Sequence, residues 1–437
     1  MTWTHMKHAL LTFLIILSLF LSYNLILTGT QSNTSSSSGN TQAPVLIDRT
    51  LSEVFSPNQV VLHEAFSDPQ IASMAEAEAL INTSYANMTF RGVESPEPFT
   101  KANYQQLLQG DDWVEFVFNA QIPFGLFENG FEDLPSDYED RTFSRVLFNL
   151  NEPNWVLFYN MNEEIVYGIQ DVTITNDVIE AFRDSEEIAY TPAEALDLGQ
   201  IVYVPKEAVT VPYRNYLVES LPNSLYTNMF FVDTPFSDPA NNSEEWRYYD
   251  YTQEVTINDK LHVLTYFSER TNLDEITLSE RLSGSFEELN RVENWTEKSQ
   301  YQAYDPETHE ATFQRYLEGL PVFSPEQYET TTLVTYVKAG VKKLQVPLRI
   351  IQTPITSDEF TEKKLESGQE LVSRLKAIGV EASKIEDLEI GLTWKENEEE
   401  PRLINYEPAW YVKLVGDSQW YDADRYIELQ GEEFNGL

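Results

Sequence analysis

The sequence predicts an α+β fold: one N-terminal transmembrane helix, then three extracytoplasmic mixed α/β domains, the last two small antiparallel-sheet-plus-helix units. Three observations predict it. An uncharged apolar run, Ala9 to Leu27, stands near the start. Short strand-like runs separated by turn residues recur along the rest of the chain. Two later stretches carry apolar residues at helical spacing after runs of strands, the order expected of α+β units.

Residues 1–8 form a short cytoplasmic start. Residues 9–28 follow as the membrane span. Its 20 residues reach about 30 Å as a helix, the thickness of a bilayer core. Lys7 and the α-amino group precede it, and no Lys or Arg follows until Arg49, so the positive-inside bias places the bulk outside the cytoplasm. A cleaved signal peptide has a shorter apolar region and a small-x-small site; Thr28-Gly29-Thr30 is a poor one. An uncleaved anchor is therefore the favoured reading. Ser18 and Ser22 are four apart and share a face, with Asn24 nearby. These are the candidate contacts to a neighbouring membrane helix, since small polar residues let helices approach and hydrogen-bond.

Residues 29–44 contain QSNTSSSSGNTQ, a flexible polar tether. The first domain, 45–215, reads as mixed α and β. Asp68-Pro69 supplies an N-cap and first-turn proline, and Ile71, Met74, Ala77 and Ile81 continue at helical spacing. Strand-like runs follow at Trp113–Phe118, Val146–Phe148, Val156–Tyr159, Ile165–Tyr167 and Ile201–Val204. In the second domain, 216–310, strands are expected at Met229–Val232, Glu254–Ile257 and His262–Phe267. Asn258-Asp259-Lys260 makes the turn between the latter two, and a short helix covers Phe286–Val292. The third domain, 311–437, has strand-like Leu333–Val337 and Leu344–Ile351. A helix then starts at the capping box Ser367-x-x-Glu370, carries the stripe Leu371, Val372, Leu375, Ile378 and stops at Gly379. Strands Leu388–Leu392 and Trp410–Val415 close it.

The totals bound the function. Of 437 residues, 42% are hydrophobic and 13% aromatic, enough to build buried cores. The net charge of −42 repels nucleic acid and opposes docking on anionic lipid or wall polymers. It reads as solubility or adaptation to a salty or alkaline habitat, with a basic partner or bound cations as the alternative. There is no cysteine, which excludes disulfides, thiolate metal sites and a Cys nucleophile and points to a bacterial exported protein.

Catalytic patterns are sparse. His5, His8, His63, His262 and His309 are far apart or at the membrane, and no H-E-x-x-H occurs. Ser373-Arg374-Leu375-Lys376 matches S-x-x-K but falls late in its helix, with no S-D-N or K-T-G downstream. Glu396 to Glu400 reads as a solvated loop, and Asp111-Asp112 as a turn before a strand. No catalytic, cofactor or metal residue is assigned, and a non-enzyme is expected. The rival readings are an anchored wall-active enzyme and an anchored ligand-binding protein.

Several short segments resemble one family. Ser18-Leu19-Phe20-Leu21-Ser22-Tyr23-Asn24-Leu25 is similar to the anchor motif S-L-F-L-T-W-N-L of the YycH family of Firmicutes. Tyr316 to Ser324 (YLEGLPVFS) resembles its Y-L-N-G-F-P-V-F segment, and Glu407 to Lys413 (EPAWYVK) its late E-P-A-W-Y-V-K segment. Asn228-Met229-Phe230-Phe231 with Asp233 resembles the opening of the family's middle domain. Tyr23 stands where the family has Trp, and Glu318 where it has Asn. The resemblance implies three extracytoplasmic domains, the last two of YycI-like type. It also implies a complex with a YycI-like membrane protein and a WalK (YycG)-like sensor histidine kinase, tuning wall metabolism. The expected activity is regulation, through differential affinity for two kinase conformations.

Overall fold

The computed structural model describes residues 49–435 apart from 74–76, 78–87, 133, 153, 174–177, 179–180, 184–187, 232–243, 270–274 and 356–361. The expected span 9–28, the tether and the contacts Ser18, Ser22 and Asn24 lie outside the described residues. Among the described residues no helix is long and apolar enough to cross a membrane.

Two large sheets dominate. The first has 11 strands and begins at the edge with Ile201–Pro205, Thr191–Asp197, Gln70–Ser73 and Gln59–His63. It continues through Trp113–Pro123, Thr142–Asn149, Val156–Asn160 and Ile165–Thr173 to Thr89–Val93 and Phe131–Glu132. The second has 13 strands. One half of it runs from the edge strand Glu245–Tyr249 through Gln253–Asn258, Val263–Ser268, Gly340–Pro347 and Thr331–Val337 to Glu310–Leu317. Leu320–Phe323 then pairs parallel with Ile385–Glu396 and so stitches on Leu403–Leu414, Arg214–Ser220 and Arg349–Pro354. The fold is thus α+β and mostly strand. The second sheet draws strands from both the expected 216–310 and 311–437 units.

Local signals account for the helices. Thr50/Glu53, Thr277/Glu280 and Ser367/Glu370 each form a reciprocal capping box at a helix start. The helix Gly368–Ala377 matches the expected one, and Gly379 follows it with φ +90°, a conformation glycine adopts without strain. The helix Leu278–Val292 is longer than the expected Phe286–Val292 because Thr277-x-x-Glu280 starts it earlier. It buries Leu282, Leu289 and Val292.

Three expectations are corrected. Asp68-Pro69 does not open a helix at Ile71: Gln70–Ser73 is a strand, paired antiparallel with Gln59–His63. Long-range pairing, and burial of Ile71 and Ala72, outweigh the local cap signal. Met229 and Phe230 lie in a helix, Asn223–Phe230, not a strand. Pro222 precedes its first residue, and Tyr226 and Phe230, four apart, bury one face. The run Leu344–Ile351 is two strands, Gly340–Pro347 and Arg349–Pro354, because the chain changes ladder partners at Pro347-Leu348.

The two sheets share core. Phe55, which is 1% exposed, meets Tyr301 at 5.0 Å and Phe313 at 6.2 Å between ring centroids. Burying such a side chain contributes roughly 1.5–3 kcal/mol. At another seam Gly368 lies so close to Val204 of the first sheet's edge strand that a Cβ would come within 2.2 Å of the valine. Only glycine lets the helix rest there.

Candidate functional site

The charged residues that the fold withdraws from water mark three places, each built where separate elements converge.

The first centres on Glu115 in the strand Trp113–Pro123, a side chain with 0% exposure. His63 Nε2 donates to its Oε2 at 2.9 Å, since an ionised carboxylate only accepts. Arg145 Nε lies 3.2 Å from its Oε1, and the Tyr104 hydroxyl donates to the same oxygen. Tyr104 in turn meets the Tyr203 hydroxyl at 3.0 Å. Burial alone would raise the Glu115 pKa, but the hydrogen bond and charge of His63, then Arg145 and Tyr104, hold it below the ordinary carboxylate value. Burial, and then the Glu115 charge, push both phenols well above theirs. This cluster cross-links four strands and a helix.

The second centres on Arg315 and Glu293, both nearly inaccessible. Arg315 donates to Glu293 Oε1 at 2.7 Å and to the carbonyls of Pro347 and Arg349 at 2.7 and 2.8 Å. Its guanidinium carbon sits 4.6 Å from the Trp295 ring centre, a cation–π contact. Glu293 also accepts from Thr332 at 2.8 Å and from the Trp295 backbone at 3.0 Å. Arg49, the first described residue, reaches the same place. It donates to the Trp295 carbonyl and, at 2.7 Å, to that of Glu297, while Asn290 donates to the Arg49 carbonyl at 2.8 Å. Arg49 is therefore fastened onto elements more than 240 residues downstream.

The third is a cavity of about 290 Å³ where the first sheet's edge strand Ile201–Pro205 faces Ile385–Glu396 of the second. A hydrogen bond from Gly199 N–H to the Ile385 carbonyl, 2.7 Å, ties the two together beside it. Asp387 and Glu389 line it with Asn58, Arg145, Val202 and Trp410. Desolvation pushes Asp387 up to about 6 and Glu389 up to about 8, the latter raised further by the Asp387 charge. Neither carboxyl belongs to an ion pair among the described residues.

The residues weighed as catalytic candidates fall elsewhere. His262 sits in a turn at φ 50°, just before the strand Val263–Ser268 rather than within one. His309 is in an exposed turn beside Tyr304. Ser373 donates back to the Gln369 carbonyl at 2.8 Å, a helix-internal bond. Asp111 accepts from the Asn149 and Asn151 amides, and Asp112 from the Ala65 N–H and Arg183. Among the described residues no group of three metal-ligating side chains converges. Reasoning from sequence missed Glu115, Asp387 and Glu389. The signal for Glu115 is an acid inside the apolar run WVEFVF.

Comparison with known proteins places this architecture. Residues 4–187 match the family model of the YycH protein N-terminal domain, and residues 199–430 that of the YycH protein C-terminal domain. The boundary between the models falls just before Gly199 and the edge strand Ile201–Pro205. The structure is similar to the crystal structure of YycH from Bacillus subtilis, with TM-score 0.67 and 15% identity over 86% of this chain and 98% of that one. The C-terminal domain of YpeB from Bacillus megaterium scores 0.23, at 12% identity over 46% of this chain and 91% of that one, and carries no weight here. No curated protein matches in sequence.

Proposed function

The chain belongs to the YycH family, and from that premise we propose that it is a non-enzymatic, membrane-anchored regulator of a WalK (YycG)-like sensor histidine kinase. In this reading residues 9–28 cross the membrane once and the bulk lies outside. The protein acts with a YycI-like partner through membrane and extracytoplasmic contacts to tune wall metabolism. The expected division at 215 and 310, with YycI-like second and third units, is kept as part of the proposal.

Family membership carries the reading, and the Arg49 anchorage supports it. A regulator of this kind must prefer one kinase conformation over another. That preference reaches the membrane only if the folded part holds the base of the tether firmly. Arg49 does so by donating to two backbone carbonyls and accepting a hydrogen bond from Asn290 on its own carbonyl, inside the Trp295–Arg315 cluster. Ser18, Ser22 and Asn24 are proposed as the face that meets the kinase or its partner within the bilayer.

Replacing residues 9–28 with a polyleucine helix is expected to leave export and folding intact and to abolish the protein's influence on kinase output. A transcriptional reporter of the cognate response regulator reads this. Unchanged output with the polyleucine span overturns the membrane contact.

A further inference from the structure

A groove of about 1010 Å³ opens on the hairpin formed by Ile385–Glu396 and Leu403–Leu414, and the proposed regulation assigns it no role. Thr393, Ala409 and Tyr411 line it from one face of that hairpin. The strand Trp420–Asp422, the helix Ala423–Asn435 and the turn Ser324-Pro325-Glu326 wall it. Gly391 clears space beside it, since a Cβ there would come within 2.6 Å of the Phe323 ring. Phe323 thus lies close on the strand, stacks on Tyr411 at 4.0 Å between ring centroids and meets Trp420 at 5.6 Å. With Ala409 they form a small apolar cluster apart from the larger cores. Phe323 comes from the segment Tyr316 to Ser324, and Ala409 and Tyr411 from Glu407 to Lys413, two stretches that the fold brings together. Polar groups of both kinds ring these aromatics. Lys395 and Lys363 share Glu407, the latter at 3.3 Å. Gln419 and Arg425 add N–H donors, and Glu326 and Glu428 add acceptors.

We propose that this groove binds a neutral oligosaccharide, the C–H face of one sugar ring against Trp420 and its hydroxyls held by Lys395, Gln419, Arg425 and Glu326. The face of an indole is negative and attracts the weakly positive C–H groups of a sugar ring. Each sugar hydroxyl both donates and accepts, so it needs donors and acceptors side by side. Other ligand classes fit less well. An anion meets Glu326, Glu407, Asp422, Asp424 and Glu428, and a cation meets Lys363, Lys395 and Arg425. A wholly apolar chain strips water from these groups and returns no hydrogen bond. An uncharged ring with hydroxyls at its edge and an apolar face satisfies both the aromatics and the rim. The volume lies at the upper end of the range for small-ligand pockets. The test needs no kinase and is independent of the proposed regulation.

Trp420 is the anchor of the site. It is only partly buried, so the free protein keeps aromatic surface in water that a sugar ring covers. Phe323 and Tyr411 pack behind it and hold the platform in place before binding, which lowers the ordering cost of association. A ring contact of the usual strength corresponds to about tenfold in affinity. An uncharged ligand is also indifferent to screening, so its affinity should hold between about 50 and 500 mM salt, whereas that of an ion falls.

The experiment titrates the full chain, in a detergent without a sugar headgroup, with cellotriose and with maltotriose by isothermal calorimetry. Sorbitol, which has the hydroxyls but no ring face, is the control. The expected result is saturable binding of at least one trimer, unchanged by salt, and none of sorbitol. Trp420→Ala is expected to weaken binding by about tenfold or more, and Trp420→Phe to retain most of it. Glu326→Ala, at an exposed turn outside the aromatic cluster, is expected to weaken it by about fivefold, and it decides the matter if Trp420→Ala does not fold. Thermal unfolding of each variant reads its folding. Absence of binding by both trimers, equal binding of sorbitol, or loss of binding at high salt overturns the proposal. So does equal loss in Trp420→Phe and Trp420→Ala, or undiminished affinity in Trp420→Ala, or in Glu326→Ala where the tryptophan variant is unfolded.

Discussion

Glu293→Ala is expected to destabilise the protein by about 3–5 kcal/mol, the usual penalty for stranding one member of a buried ion pair. The carboxylate holds Arg315, Thr332 and the Trp295 backbone at once. Its removal leaves a guanidinium at 0% exposure with two carbonyls but no countercharge. Glu293→Leu combined with Arg315→Met should recover much of the loss, because an apolar pair of similar bulk has no charge to desolvate. The urea midpoint of the full chain in detergent reads both variants. The pH dependence follows from the carboxyl's lowered pKa: burial pushes it up, but the Arg315 charge and hydrogen bond, then Arg49 and Thr332, pull it lower overall. The stabilisation is thus present above the ordinary carboxylate pKa and is lost as pH falls through the folded one. A single variant indistinguishable from the parent at neutral pH would contradict this account of the cluster.

Glu115→Ala should have a comparable effect, about 3–5 kcal/mol, in the first sheet. His63, Arg145 and Tyr104 all converge on this carboxylate. Glu115→Gln keeps one acceptor and loses the charge, so it should fall between alanine and the parent. The same urea titration gives the ranking. Glutamine as damaging as alanine would mean that the charge, and not the hydrogen bonds, holds the cluster. Alanine as benign as a surface change would mean that the cluster adds no stability.

How much of this was legible depended on the range of the cause. Signals contained within a few residues read correctly. The capping box at Ser367 and the glycine stop at Gly379 bracket a real helix, and Asn258-Asp259-Lys260 does turn between two paired strands. Signals overruled by distant partners did not. Asp68-Pro69 looks like a helix start, yet Gln70–Ser73 is claimed by a strand ladder. Arg214–Ser220 sits between Leu403–Leu414 and Arg349–Pro354, partners well over a hundred residues away that no local pattern names. The sites follow the same rule. Glu115 stands out as an acid amid apolar neighbours. Asp387 and Glu389 lie in IEDLEIGL, where alternating acids read as a solvated face, and only the approach of the first sheet encloses them. The proposed membrane contacts Ser18, Ser22 and Asn24 are read from sequence alone.

The most direct measurement for the proposed role is purification of the tagged full chain from membranes, with and without residues 1–30, followed by detection of the sensor histidine kinase. Regulation through a membrane-anchored contact predicts that the kinase accompanies the full chain and is lost from the truncated one. Absence of the kinase from the full-chain sample, or its equal recovery with the truncated chain, would contradict it.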